Sequence, residues 1–117
     1  MAEQSGETVL VYTTWPDADM AEAVGAEAIA ERLAACVNIL APMRSIFRWE
    51  GAVDRAAEVP VLFKTTVEAS ERLRDFIVAK HPYDVPAVLA LPISAAMSNP
   101  AFLQWIGQET GDPKGDS

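Results

Sequence analysis

The only histidine of the chain, His81, opens the string His81-Pro82-Tyr83 and is the side chain best suited to acid–base or metal chemistry near neutral pH. It ends an amphipathic stretch. It therefore reads either as a metal ligand or as a group complementing the negative end of a helix. The only cysteine, Cys36, lies in Ala34-Ala35-Cys36-Val37-Asn38. A lone thiol there reads as a soft-metal ligand or reactive group, or as a small buried hydrophobe. Trp49-Glu50-Gly51 follows Arg44 and Arg48, residue types that serve both stacking recognition and oligomer contacts. Lys64-Thr65-Thr66 sets a base beside a helix start, where free N–H groups can hold an anion, but without a glycine-rich phosphate loop. No G-x-S-x-G or H-E-x-x-H string occurs, and no nucleophile–base pair suggests itself, so the chain does not read as an enzyme.

Composition limits the partners. The chain has 117 residues, of which half are hydrophobic, with 17 acidic and 9 basic side chains and a net charge of −8. That length fits one domain, and that apolar content excludes a disordered chain. An acidic protein is a poor ligand for nucleic acid, whose binding rests on neutralising phosphates. A single cysteine excludes an internal disulfide and any multi-cysteine zinc module. The polar, acidic start, Met1 to Glu7, lacks the basic and apolar parts of a secretory signal, and charges interrupt every hydrophobic run. A cytoplasmic protein without a membrane span is the expectation. Residues 1–35 hold 7 acids and 1 base, residues 36–80 hold 6 and 7, and residues 81–117 hold 4 and 1. The acidity thus sits on the first helix and the chain ends, where it reads as a solvated face.

The elements that must position these residues follow from local pattern. Thr8 to Trp15 is β-branched and aromatic and reads as a buried strand ended by Pro16. Asp17 can cap the helix that follows, with Ala26, Ile29, Ala30 and Leu33 as its inward stripe. Cys36 to Gly51 is a long β-prone run broken by Pro42, and it pairs as a hairpin with the alternating Val59, Val61 and Phe63 around a connection at 51–57. Pro42 and Pro60 mark bulges or edge positions. Thr66 can cap a second helix lined by Ala69, Leu73, Phe76 and Ile77, which Pro82 ends. Val85 to Ile93 is a strand bracketed by prolines. Asn99 and Pro100 start a short third helix closed by Gly107, carrying Phe102, Leu103 and Ile106 inward. Residues 1–7 are expected to be disordered, residues 8–107 form the domain, and residues 108–117 form a frayed polar tail.

The order is β-α-β-β-α-β plus a terminal helix, the split βαβ arrangement of the α+β class. Both long helices then cover one face of an antiparallel sheet. The terminal helix is too short to cover the other face, and Ile46, Phe47 and Trp49 exceed what one small sheet needs. Such surplus apolar surface marks an interface, so a homo-oligomer is expected.

Several strings stand out together: Glu31-Arg32-Leu33-Ala34-Ala35-Cys36-Val37-Asn38, Ser45-Ile46-Phe47-Arg48-Trp49-Glu50-Gly51, Glu58, Phe63-Lys64-Thr65-Thr66, His81-Pro82-Tyr83-Asp84-Val85-Pro86, Leu91-Pro92-Ile93 and Phe102-Leu103-Gln104-Trp105-Ile106. In this order and spacing they resemble the CutA family, the divalent-cation tolerance proteins. The resemblance covers about residues 8–107. It implies a ferredoxin-like protomer with a long hairpin between its second and third strands. It also implies a compact homotrimer similar in architecture to the PII signalling proteins, and a non-catalytic part in tolerance of copper and other divalent metals. Trp49, Glu58, Lys64, His81 and Tyr83 become candidates for the cleft between subunits, and His81 and Cys36 become candidate ligands for Cu²⁺ or Zn²⁺. Some members of the family that bind copper carry a cysteine on the first strand and a doubled histidine before Pro-Tyr. Here those positions are Thr13 and Lys80-His81. Two alternatives stand beside this reading: a PII-like sensor taking a small anion or nucleotide at the cleft, and a structural trimer that docks a protein partner.

Overall fold

The computed structural model describes residues 7–111. The chain runs β1 (Thr8–Trp15), α1 (Ala18–Ala30), β2 (Cys36–Ile39), β3 (Met43–Trp49), β4 (Ala52–Thr66), α2 (Val67–Lys80), β5 (Val88–Pro92) and α3 (Pro100–Glu109). The sheet is antiparallel, with strand order β2-β4-β1-β5 and β3 pairing with β4 beyond β2. This is the ferredoxin-like α+β architecture. Alternation along the strands puts Val9, Val11, Trp15, Val59, Val61 and Phe63 into one core with Ala21, Val24 and Ala28 of α1 and Leu73 and Ile77 of α2.

Short polar side chains fix the helix starts. Asp17 accepts from Met20 N–H at 2.8 Å, Thr66 from Ala69 N–H at 3.2 Å, and Asn99 from Ala101 N–H at 3.1 Å. Each cap satisfies an N–H that has no partner within its own helix. The inward stripe of α1 differs from the sequence expectation. Ala21, Val24, Gly25 and Ala28 are buried, and Ala26, Ile29 and Ala30 face out. The reason is close approach: a Cβ built on Gly25 would stand 3.0 Å from Val37 Cγ1, so α1 turns its smallest residue to β2. The helix ends in a left-handed turn at Arg32, with Arg32 N–H to Ile29 O and Leu33 N–H to Ala28 O. The Arg32 side chain then donates to Gln108 O at 2.6 Å, and Gly111 N–H returns to Arg32 O, which docks the end of α3.

That docking corrects the expected boundaries. α3 runs through Gly107 to Glu109, and Thr110 is buried with its hydroxyl on Ile106 O, so the domain extends to Gly111. At the other end, Glu7 O accepts from Val67 N–H. The remaining expectations for 1–6 and 112–117 lie outside the described residues. β5 begins at Val88 rather than at Val85.

The hairpin also differs. Its connection is the two-residue turn Glu50-Gly51, not 51–57. Both residues have positive φ, 52° and 82°, the signature of the primed turn that matches strand twist. Ala52 to Ala57 is therefore strand, paired in register from Trp49↔Ala52 to Met43↔Glu58. β4 is one 15-residue strand whose outer half forms, with β3, a projecting arm. The molecule measures 50 × 30 × 23 Å as a result. Pro60 sits in this central strand, opposite Thr14. Its carbonyl accepts from Leu40 N–H, so its nitrogen faces the same side, at the gap where pairing passes from β2 to β3. The missing donor costs no ladder bond there. The second sheet face is only partly covered, and Leu89, Leu91 and Phe102 remain exposed on it.

Candidate functional site

The candidate site is built where β1, the end of α2 and the foot of the arm meet. Trp15 is fully buried, and its indole N–H donates to Thr13 Oγ1 at 2.7 Å. The Thr13 hydroxyl in turn donates to Val61 O at 3.2 Å. The aromatic wall and the hydroxyl behind it are thus locked. Pro82 forbids a further helical turn, so α2 stops with His81 as C-cap in extended conformation. The His81 ring swings back over β1, 4.2 Å from the Trp15 ring and 4.7 Å from Tyr83.

Both imidazole nitrogens are engaged. Nδ1 accepts from Tyr83 N–H at 3.1 Å, which requires its lone pair. The proton therefore sits on Nε2, which donates to Thr14 O at 2.7 Å. His81 is 7 % exposed and acts as a neutral clamp between the end of β1 and the turn after α2. The clamp presents Tyr83, whose hydroxyl donates to Glu58 Oε2 at 3.2 Å. Partial burial pushes the Tyr83 phenol up from its ordinary ionisation range, and the charge and hydrogen bond of Glu58 add to the shift. Glu58, Tyr83 and His81 are the sequence candidates that the fold brings together. Thr14, acting through its carbonyl, and Trp15, acting through its ring, were not among them. Backbone acceptors leave no sequence signal, and Trp15 reads as core.

The other candidates lie elsewhere. Lys64 is six residues along β4 from Glu58, about 20 Å, and Trp49 is paired six residues the other way. Lys64 Nζ stands 5.3 Å over the Phe102 ring, and Lys64 is opposite Cys36 on β2. Trp49 is exposed near the arm tip. Cys36 is aligned through Lys64 with Leu10, four residues along β1 from Thr14 and two strand spacings across the sheet. The offset from His81 is thus on the order of 15 Å, against about 4 Å for two ligands of one zinc. Cys36 and His81 of one chain do not share a metal.

The donor set for a divalent metal does not fit a site within this chain. The imidazole has no free lone pair, the Thr13 hydroxyl is already committed to Val61 O, and Lys80 holds Glu27 at 3.3 Å beside the Phe76 ring. Among the described residues, no group of three or more His, Cys, Asp or Glu side chains is placed to hold a metal ion.

The architecture and this site define a class: a ferredoxin-like domain with a projecting two-stranded arm and an aromatic–histidine clamp at its foot. The family model for the CutA1 divalent ion tolerance protein matches residues 9–109. The divalent-cation tolerance protein CutA of Thermus thermophilus is 42% identical over 87% of this chain and 97% of its own length. Protein CutA 1, chloroplastic, of Oryza sativa is 37% identical over 88% of this chain, which spans 57% of that longer protein. The crystal structure of CutA1 from Oryza sativa superposes with a TM-score of 0.86 at 35% identity, over 92% of this chain and 97% of that one. The Thermus thermophilus structure superposes at 0.84 and 40% identity, over 89% and 99%. The chain belongs to the CutA1 divalent ion tolerance family.

Proposed function

We propose that the protein acts as a non-catalytic homotrimer in divalent-metal tolerance, copper among the ions, in the cytoplasm. The ion is cargo rather than a resident cofactor, and it is met at the cleft between subunits at the foot of the arm. The observation that carries this placement is the Glu58–Tyr83 contact, where a carboxylate and a phenol from separate elements converge at the surface. His81 supports that pair from behind and does not bind the ion. Titration calorimetry with Cu²⁺ and Zn²⁺ tests the reading, alongside light scattering for the trimer. Heat that disappears in Glu58→Gln and persists in Cys36→Ser supports it. Heat unchanged by Glu58→Gln, or a monomer in solution, overturns it.

A second reading rests on Lys64, which forms no ion pair among the described residues and stands on the partly open sheet face. It favours a PII-like sensor for a small anion or nucleotide. A thermal-shift screen with phosphate and nucleotides separates the two, because a shift lost in Lys64→Ala belongs to the second reading alone.

A further inference from the structure

The arm segregates its charge by face. Strand alternation and register put Arg44 opposite Ala57, Arg55 opposite Ile46, and Arg48 opposite Val53, all on one face. Asp54 and Glu58 alternate onto the other face with Phe47 and Met43 opposite them, and Glu50 occupies the turn. The three arginines are exposed, and none forms an ion pair among the described residues. They form a zigzag ladder with one guanidinium per rung, each beside a small or apolar side chain. The rungs are about 7 Å apart. The protein as a whole carries −8. Fields are screened beyond about 8 Å at physiological salt, so the distant acidic helix is little felt on this face, while Glu50, Asp54 and Glu58 of the arm itself offset part of the local positive charge and leave recognition to direct contact with the guanidiniums.

We propose that this face of the arm docks an extended acidic segment of a partner protein. Alternate residues of an extended chain are also about 7 Å apart, so carboxylates at i, i+2 and i+4 match three successive rungs. Each guanidinium can hold a carboxylate through two parallel N–H donors. A long polyanion such as RNA fits less well, because beyond three rungs it would run onto an acidic body. A second copy of the chain fits the opposite face, where the exposed aromatic rings of Phe47 and Trp49 continue toward the open sheet; the exposed Ile46 and Val53 on the arginine face stand singly between guanidiniums. The proposal is independent of the metal reading, whose Glu58 lies on that other face.

The test is fluorescence anisotropy of a labelled peptide of alternating Glu and Thr, titrated with the full-length protein. Binding is expected at about 50 mM salt and should weaken several-fold by about 300 mM. Reversing the arm with Arg44→Glu, Arg48→Glu and Arg55→Glu together should weaken it at least about tenfold, the combined weight of three exposed contacts. Asp54→Asn, on the other face, should leave it unchanged, and circular dichroism confirms that both variants fold. No anisotropy change with the wild-type protein overturns the proposal. So does equal binding by the triple variant, or tighter binding of an oligothymidylate of the same charge.

Discussion

The His81 Nε2–H bond to the Thr14 carbonyl, at 2.7 Å, ties the end of α2 to the end of β1. The placement of Tyr83 at the foot of the arm depends on it, because the same ring accepts from the backbone that carries Tyr83. Replacing His81 with alanine strands a buried acceptor and a part-buried donor and removes a ring packed on Trp15. We expect a loss of about 2–4 kcal/mol, measured by urea unfolding. His81→Gln, whose amide can accept and donate, should recover part of it. A loss under about 0.5 kcal/mol for alanine would show that the clamp is dispensable.

Tyr83 gives a pH signature of that geometry. Its folded-state ionisation lies above the unfolded value near 10, through burial first and Glu58 second. The folded state therefore holds the phenolic proton more tightly. Stability from this group is fully present below the unfolded value and falls as pH rises through the folded one. Ultraviolet titration can follow this cleanly, because the only other tyrosine is Tyr12. Glu58→Gln should move one phenolate transition to lower pH, and Tyr83→Phe should remove it. A wild-type titration with no late transition counts against the Glu58–Tyr83 contact in solution.

Local chemistry made the caps and strands legible. Asp17, Thr66 and Asn99 each satisfy an N–H two or three residues away, so short-range pattern suffices. The stripe of α1 was not legible, because alanine lies on both its inner and outer faces and gives no contrast at helical period. The turn was hidden for a related reason. Residues 52–58 are charged and small because the arm stands away from the core, and composition alone reads that as loop. At the site, His81 and Tyr83 stand out by type. Their bridge to Thr14 and Glu58 spans 67 and 25 residues of chain, and one end of it is a backbone oxygen.

Gly25 sets how close α1 lies to β2. Gly25→Leu would force a branched side chain against Val37, whose own rotamer is stiff. We expect a destabilisation of about 1–3 kcal/mol, read as a lower urea midpoint. Adding Val37→Ala should restore part of it through the space released. Equal loss in single and double variants would locate the strain elsewhere.

The arm's turn offers a stabilising change. Glu50 adopts φ 52°, a left-handed conformation that disfavours side chains other than Asn, Asp and Gly, and Gly51 follows at 82°. Asn-Gly is the preferred pair for this turn. The turn is exposed, so Glu50→Asn leaves the core packing untouched and should raise stability by about 0.5–1 kcal/mol. Gly51→Ala has open space for its Cβ, so its cost is conformational alone, about 1 kcal/mol. Both changes are measured by chemical unfolding monitored by circular dichroism. Opposite signs for the two variants identify the turn conformation as the cause. A destabilising Glu50→Asn would mean that the Glu50 carboxylate makes a contact in solution that outweighs its backbone strain.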